Sequence, residues 1–272
     1  MAIERLRANQ AGSNSRELRW HQVGETFLDI KTYLFLAMSF GNNLGAQVIN
    51  TFGPLIVGGL GFDKYTTTLL NMPFGALQYL IILVVAYIAI KFRFKSISLG
   101  LIILPIIAGL VVLFVIPRKA SNNGSLLAGY YLLSFIFGCN TLIVAWILAN
   151  TAGETKKSFT MSLYNAAASA GNVVGPLLFK SSDAPEYKPG VKATLGVYIG
   201  IFCSVILQLV NLVILNRSQE RWRVRNGKPA KIHDHSMEET YEDISAGNDY
   251  HIGESAFDDL TDRKNDEFVY VY

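Results

Sequence analysis

Six stretches of this chain run for twenty residues or more without an Asp, Glu, Lys, Arg or His, and nothing else in the sequence limits the fold so tightly. They are residues 32–60, 67–90, 96–116, 126–149, 159–179 and 193–216. About 20 apolar residues are needed to carry a helix across a hydrocarbon layer about 30 Å thick, and a helix can do so because each backbone N–H and C=O finds its partner inside the segment. A core helix of a soluble domain is usually shorter and keeps one charged face. The expectation is therefore an all-α, polytopic membrane protein with six transmembrane helices across residues 32–216. The 51% content of apolar residues agrees.

Charge organises the rest of the chain. Residues 1–31 hold Arg5, Arg7, Arg16, Arg19 and Lys31 with no short apolar run before a cleavage site, so they read as a soluble lead-in rather than a signal peptide. Segments 1–31, 91–95, 151–158 and 217–231 carry 16 Lys and Arg, against 6 in segments 61–66, 117–124 and 180–192. By the positive-inside rule both termini are expected in the cytoplasm. Arg217, Arg221, Arg223, Arg225, Lys228 and Lys231 follow the last span, where they would meet an anionic leaflet. Residues 232–272 then turn acidic, so 217–272 reads as a basic then acidic, largely disordered tail, with 268–272 docking back. Asn123-Gly124-Ser125 is a glycosylation sequon in a short loop close to the membrane.

Polar residues inside the spans must face other helices or water, because an unpaired amide in hydrocarbon costs several kcal/mol. In the first span Asn43, Gln47 and Asn50 share one helical face beside Gly41 and Gly45; in the second, Asn71, Gly75 and Gln78 repeat the spacing. The fifth span combines a polar face of Ser162, Asn165, Ser169 and Asn172 with the close-packing pair Gly171 and Gly175, and Pro176 follows. The fourth adds Asn140, Thr141, Trp146 and Asn150. Such amides either bind helices together or line a solute path. Ser204, Gln208 and Asn211 show the same spacing in the sixth span, and only the third is apolar all round.

Reactive constellations are missing from the spans. His21, His233, His235 and His251 all lie outside them, Cys139 and Cys203 have no framework of partners, and no Cys-x-x-Cys, His-Glu-x-x-His or phosphate-cradling glycine loop occurs. The expectation is no enzyme, no cofactor, no metal site and no nucleic-acid partner. The missing charges also limit transport by this chain alone, since proton coupling and anion recognition usually need titratable or cationic groups in the membrane.

Residues 145–190, AWILANTAGETKKSFTMSLYNAAASAGNVVGPLLFKSSDAPEYKPG, together with GPLIVGGLGFDKYTTTLLNMPFG at 53–75 and DLTDRKNDEFVYVY at 259–272, give the chain its resemblance to a known group. It resembles the fungal allantoate permease family, a branch of the major facilitator superfamily that carries organic anions with protons. The likeness covers the C-terminal half of a member only, and residues 1–28 look like the linker that precedes helix seven. The six spans then correspond to helices 7–12.

The resemblance implies a plasma-membrane symporter taking up a small organic anion with a proton. Allantoate, ureidosuccinate, a vitamin-type carboxylate or a dipeptide are the substrate classes. It carries Asn43, Gln47, Asn50, Asn140 and Trp146 over as candidate cavity residues. Asn71, Gln78, Asn165, Ser169, Gly171, Asn172, Gly175 and Pro176 become candidates for the interface between halves or for gating, with the third and sixth spans outside. One departure is the run Tyr87-Ile88-Ala89-Ile90-Lys91-Phe92-Arg93, where the family commonly places a Ser-Asp pair before its cations. The other is that helices one to six are missing, which implies a truncated or split member whose partner is a separately encoded N-terminal half or a second copy. The alternative is a non-transporting remnant, or a membrane interaction subunit that modulates a full-length permease.

Overall fold

The computed structural model describes residues 18–58, 64–91, 94–183, 187–232 and 259–272. His233, His235, His251, Phe92, Arg93 and most of the acidic stretch lie outside the described residues. Eight α-helices occur among the described residues: α1 Trp20–Phe27, α2 Ile30–Gly58, α3 Lys64–Lys91, α4 Lys95–Val115, α5 Asn123–Leu132, α6 Phe135–Ala149, α7 Glu154–Leu177 and α8 Lys188–Arg225. No strand occurs among them. Four spans are long and apolar enough to cross a membrane: α3, α4, α5 with α6, and α8. The two further stretches read as spans, α2 and α7, have the length, at 29 and 24 residues, and differ in carrying the amide-rich faces.

Local chemistry explains the helix ends. Asp29 caps α2, its carboxylate accepting the Lys31 N–H at 3.2 Å. The fourth span is two helices. At the break the Leu133 N–H bonds the Tyr130 carbonyl at 3.0 Å and the Ser134 N–H bonds that of Tyr131 at 3.1 Å, a tightened turn that the Ser134 hydroxyl reinforces on Tyr131 O at 2.6 Å. The last helix, expected to end at residue 216, runs to Arg225, because 217–225 contain no Gly or Pro to stop it. At 38 residues it is about 57 Å long, well beyond the hydrocarbon core. It closes in a Schellman motif: Gly227 takes φ +75°, the Lys228 N–H bonds Arg223 O at 2.9 Å and the Gly227 N–H bonds Val224 O at 3.1 Å.

Helix α2 is the centre of the bundle, packed most extensively on α7 and also on α8 and α6; α4 lies against α8, α5 and α6, and α3 against α6. Uniformly apolar α4 turns Leu99, Ile103, Ile106, Leu110 and Leu113 inward at helical spacing and leaves Leu101, Leu104, Val111 and Val115 exposed. Residues 259–272, part of the expected disordered tail, pack as an irregular segment against α1, the α6–α7 turn and the end of α8, with Asp262 and Tyr270 buried.

Candidate functional site

Three groups of polar residues stand out, two of them built from residues singled out in the spans. The first lies along α2 and α7. Gly171 and Gly175, expected to face a missing half, instead face α2: a Cβ on Gly171 would strike the Phe40 carbonyl oxygen and sit 3.0 Å from Leu44 N, and one on Gly175 would lie 2.7 Å from Leu44 O. The pair is a close crossing inside this bundle, as small residues permit. The other side of α7 is open. Asn165, Ser169 and Asn172 are exposed there, as is Ser162. Ser162 and Ser169 close their hydroxyls onto carbonyls one turn back at 2.9 Å, while the Asn165 and Asn172 amides make no hydrogen bond among the described residues. Gln47 lies beside the crossing, its Cβ 3.4 Å from the Cβ position of Gly175. Pro176 is half-buried in the last turn of α7.

Asn43 and Gln47 are half-buried and Asn50 is exposed, so the three form the outward face of α2 beside the crossing. Asn43 donates back to Ser39 O at 2.9 Å, and Ser39 in turn donates to Tyr164 O on α7 at 3.0 Å. Asn140 accepts the Tyr164 hydroxyl, which joins α6 to α7. Trp146 is elsewhere. It is completely buried, donating its indole N–H to the Val271 carbonyl at 2.9 Å, and is an anchor for residues 259–272 rather than a cavity wall.

A second group lines an open cleft of about 380 Å³ between the far end of α2, the start of α3 and α5. Asn50, Asn71 and Gln78 meet there with Tyr130, whose hydroxyl donates to Asn71 Oδ1 at 2.8 Å while its ring stacks on Phe74 at 4.7 Å. The Asn71 amide N–H₂ is committed to Thr67 O at 2.8 Å. Thr67 Oγ1 is buried in the same wall without a partner among the described residues. Gln208, on α8, is fully buried with both amide atoms unpaired among the described residues.

The third group was missed from sequence. Glu25, Asp29 and Lys31 read as part of a lead-in, Lys156 as a loop charge and Asp262 as tail, yet they form one buried cluster. Asp262 accepts Lys31 Nζ at 2.5 Å and Lys156 Nζ at 2.8 Å; Lys156 also pairs with Glu25 at 2.8 Å and Asp29 at 3.1 Å. Arg263 reaches Asp29 at 3.4 Å, and Lys31 also donates to Asn150 O at 2.5 Å and lies 4.9 Å over the Tyr270 ring. Three cations thus face three carboxylates.

Burial alone would push the Asp262 carboxyl up, but Lys31 and Lys156 hold it well below the usual carboxylate range. The same contest, burial against Lys31 and Lys156, lowers Asp29. Burial disfavours charge on Lys156 too, yet Asp262, Asp29 and Glu25 raise its pKa above the ordinary lysine value. Burial and the Asp262 charge push Tyr270 far up, so its hydroxyl stays a neutral donor to Asp262 Oδ2 at 2.9 Å.

Around the cluster, distant segments complete the start of α7. Its first N–H groups lack partners inside the helix. Asp259 accepts the Glu154 N–H at 2.6 Å and Gln22 Oε1 accepts that of Lys156 at 3.0 Å. The chain enters through Gly153 at φ +89°, and a Cβ there would stand 2.9 Å from Gln22 Oε1. A signal for this group was present: residues 145–190 and 259–272 carried the family resemblance, and both are rich in groups an apolar span would not hold.

Comparison with known proteins follows this geometry. The family model described as Major Facilitator Superfamily matches residues 2–176. The chain is 32% identical over 200 residues to the MFS-type transporter cnsL of Penicillium expansum, covering 73% of this chain and 41% of that protein. To the thiamine pathway transporter THI73 of Saccharomyces cerevisiae it is 30% identical over 278 residues, covering 99% and 47%. To the allantoate permease of the same yeast it is 25% identical over 282 residues, covering 100% and 47%. The chain therefore spans about half the length of the curated relatives it matches. No solved structure matches. With the family model covering residues 2–176 of 272, this apolar, all-helical membrane chain belongs to the Major Facilitator Superfamily.

Proposed function

We propose that this chain is the C-terminal half of a transporter of the allantoate permease branch, its six spans standing for helices 7–12. The observation that carries the reading is the open face of α7, where Asn165, Ser169 and Asn172 are exposed and the two amides have no partner among the described residues. Amides on an otherwise apolar helix are expensive against lipid and cheap against water, so this face is one wall of a solute path. Asn43, Gln47, Asn50 and Asn140 belong to the same wall, and Asn71 and Gln78 continue it into the cleft at the far end of α2. The opposing wall is an N-terminal half of the transporter fold.

In the assembled protein the halves rock about a midplane site, admitting a small carboxylate-bearing solute with a proton. The charges for anion recognition and coupling come from the opposing half. Both termini and the charged cluster face the cytoplasm, and the assembly sits in the plasma membrane. The relatives' names support transport as the class of activity: one is an allantoate permease, another a thiamine pathway transporter.

Tracer uptake separates this reading from a non-transporting subunit. Cells expressing the chain with an N-terminal half of a full-length relative are expected to take up allantoate, nicotinate, pantothenate or a dipeptide saturably and faster at acid pH. Asn165→Leu with Asn172→Leu should abolish that uptake without lowering the amount of protein in the membrane. Uptake that survives both substitutions would refute the path. Suppression of a full-length relative's own uptake, with none added, would favour the modulating subunit.

A further inference from the structure

We infer that the end of the bundle formed by α1, the α6–α7 turn and the tail of α8 is a peptide-binding groove, and that its occupant, residues 259–272 of the same chain, is held as a separate peptide would be. The segment joins no ladder and no helix: turns of its own take the N–H groups of Lys264, Asn265 and Phe268, the Lys95 N–H donates to the Tyr272 carbonyl at 2.5 Å, and side chains from the bundle meet other backbone groups. Asn150 closes both groups of Val271, accepting its N–H at 2.8 Å and donating to its carbonyl at 3.0 Å. Asn216 does the same for Tyr270, at 2.9 and 2.8 Å. Gln219 donates to Asp262 O at 2.9 Å, Gln22 to Asp259 O at 2.9 Å, and Arg223 to Asp266 O at 3.0 Å.

Backbone contacts of this kind grip an extended peptide whatever its sequence, and pockets for particular side chains then supply the selectivity. Here selectivity has two parts. Asp262, fully buried, fits between two ammonium groups that reach it from the start of α2 and the start of α7. Eight residues on, the buried Tyr270 ring lies under the Lys31 ammonium at 4.9 Å and edge-on to Phe268 of the same segment at 5.0 Å. The partner chemistry is therefore an acidic segment that turns over residues 261–268, with an aspartate eight residues before a tyrosine. This assignment does not depend on transport.

Competition in the full chain tests it. Asp262→Asn leaves Lys31 and Lys156 short of a buried counter-charge, and its unfolding midpoint in detergent should fall below that of the parent, read by thiol labelling of buried Cys139 with exposed Cys203 replaced by Ser. The free peptide DLTDRKNDEFVYVY should restore the midpoint; the same peptide with asparagine at the Asp262 position should need at least about tenfold more, as the loss of one charge-assisted contact of about 1.4 kcal/mol implies. If the variant is not monodisperse, purification with the peptide becomes the readout, and recovery of monodisperse protein is the expected result. Tyr270→Ala in the full chain repeats the test at the second pocket. No restoration in either variant, or equal restoration by both peptides, would show that 259–272 is an inseparable part of the fold and not a bound ligand.

Discussion

Replacing Gly171 by alanine should destabilise the bundle, although alanine is the better helix former. All three nearest atoms to a Cβ at this position are backbone atoms of α2, namely Phe40 O, Leu44 N at 3.0 Å and Phe40 C at 3.2 Å, so no side chain can swing away and the helices must part. Overpacking of one methyl in a close contact costs about 1–3 kcal/mol. In α8, Gly196 and Gly200 have nothing within 4 Å of their Cβ positions, so the same change there should gain up to about 1 kcal/mol from helix propensity. The two classes should differ by about 2–4 kcal/mol, with opposite signs. Unfolding by SDS in mixed micelles gives the comparison, with thiol labelling of Cys139, which is buried, in a Cys203→Ser background. If Gly171→Ala matched Gly196→Ala in stability, α2 and α7 would not be in backbone contact and the placement of the open amide face on α7 would fall with it.

Three further outcomes follow from the same geometry. Asn150→Ala leaves the N–H and a shared carbonyl of Val271 short of partners in a buried site and should cost about 2–4 kcal/mol in the same unfolding assay. Gln208→Leu removes a fully buried amide with neither atom bonded and should stabilise by about 1–3 kcal/mol; a loss of stability would mean the amide is hydrated. With pH, the lowered carboxyls of Asp262 and Asp29 contribute stability that is complete above the ordinary carboxylate range and is lost as pH falls through their depressed values. Raised Lys156 contributes stability that is complete below the ordinary lysine value and lost above it. The unfolding midpoint should thus be flat from about pH 5 to pH 10 and drop only on either side, and Lys156→Met should shrink the acid-side drop.

Sequence reading succeeded where a single physical rule acts along one segment. The apolar stretches became helices because the rule for them is local, and the exposed amides of α7 were legible as a face because 162, 165, 169 and 172 recur at helical spacing. Which way a glycine pair points is not local. Gly171 and Gly175 are equally suited to a partner half and to α2, and only the crossing decides. Trp146 misled for a similar reason: an indole near the end of a span looks like a cavity wall until its N–H is seen on Val271, 125 positions away in sequence. The charge cluster was missed because its members lie in three segments, each of which looks like ordinary solvated charge by itself.

The two ends of α2 are therefore built differently, and this bears on how such a bundle moves. At its start, Lys31 is fixed by Asp262 and Asn150, and neighbouring Asp29 ties it to Lys156 at the start of α7, so α1, α2 and α7 share one ionic knot. Removing one partner from such a knot leaves a buried charge exposed to a cost of about 3–5 kcal/mol, whereas the whole knot adds little net stability over apolar packing. Its effect is to fix geometry more than to add stability. In the middle the Gly171–Gly175 crossing holds α2 to α7 backbone to backbone. At the far end α2 borders a cleft where the Thr67 hydroxyl has no partner among the described residues, and a helix, α3, of which little is buried. A rearrangement of this half that cost least would keep the knot and the crossing intact and move α3 about the cleft, so α1, α2 and α7 form the frame and the cleft end the deformable part.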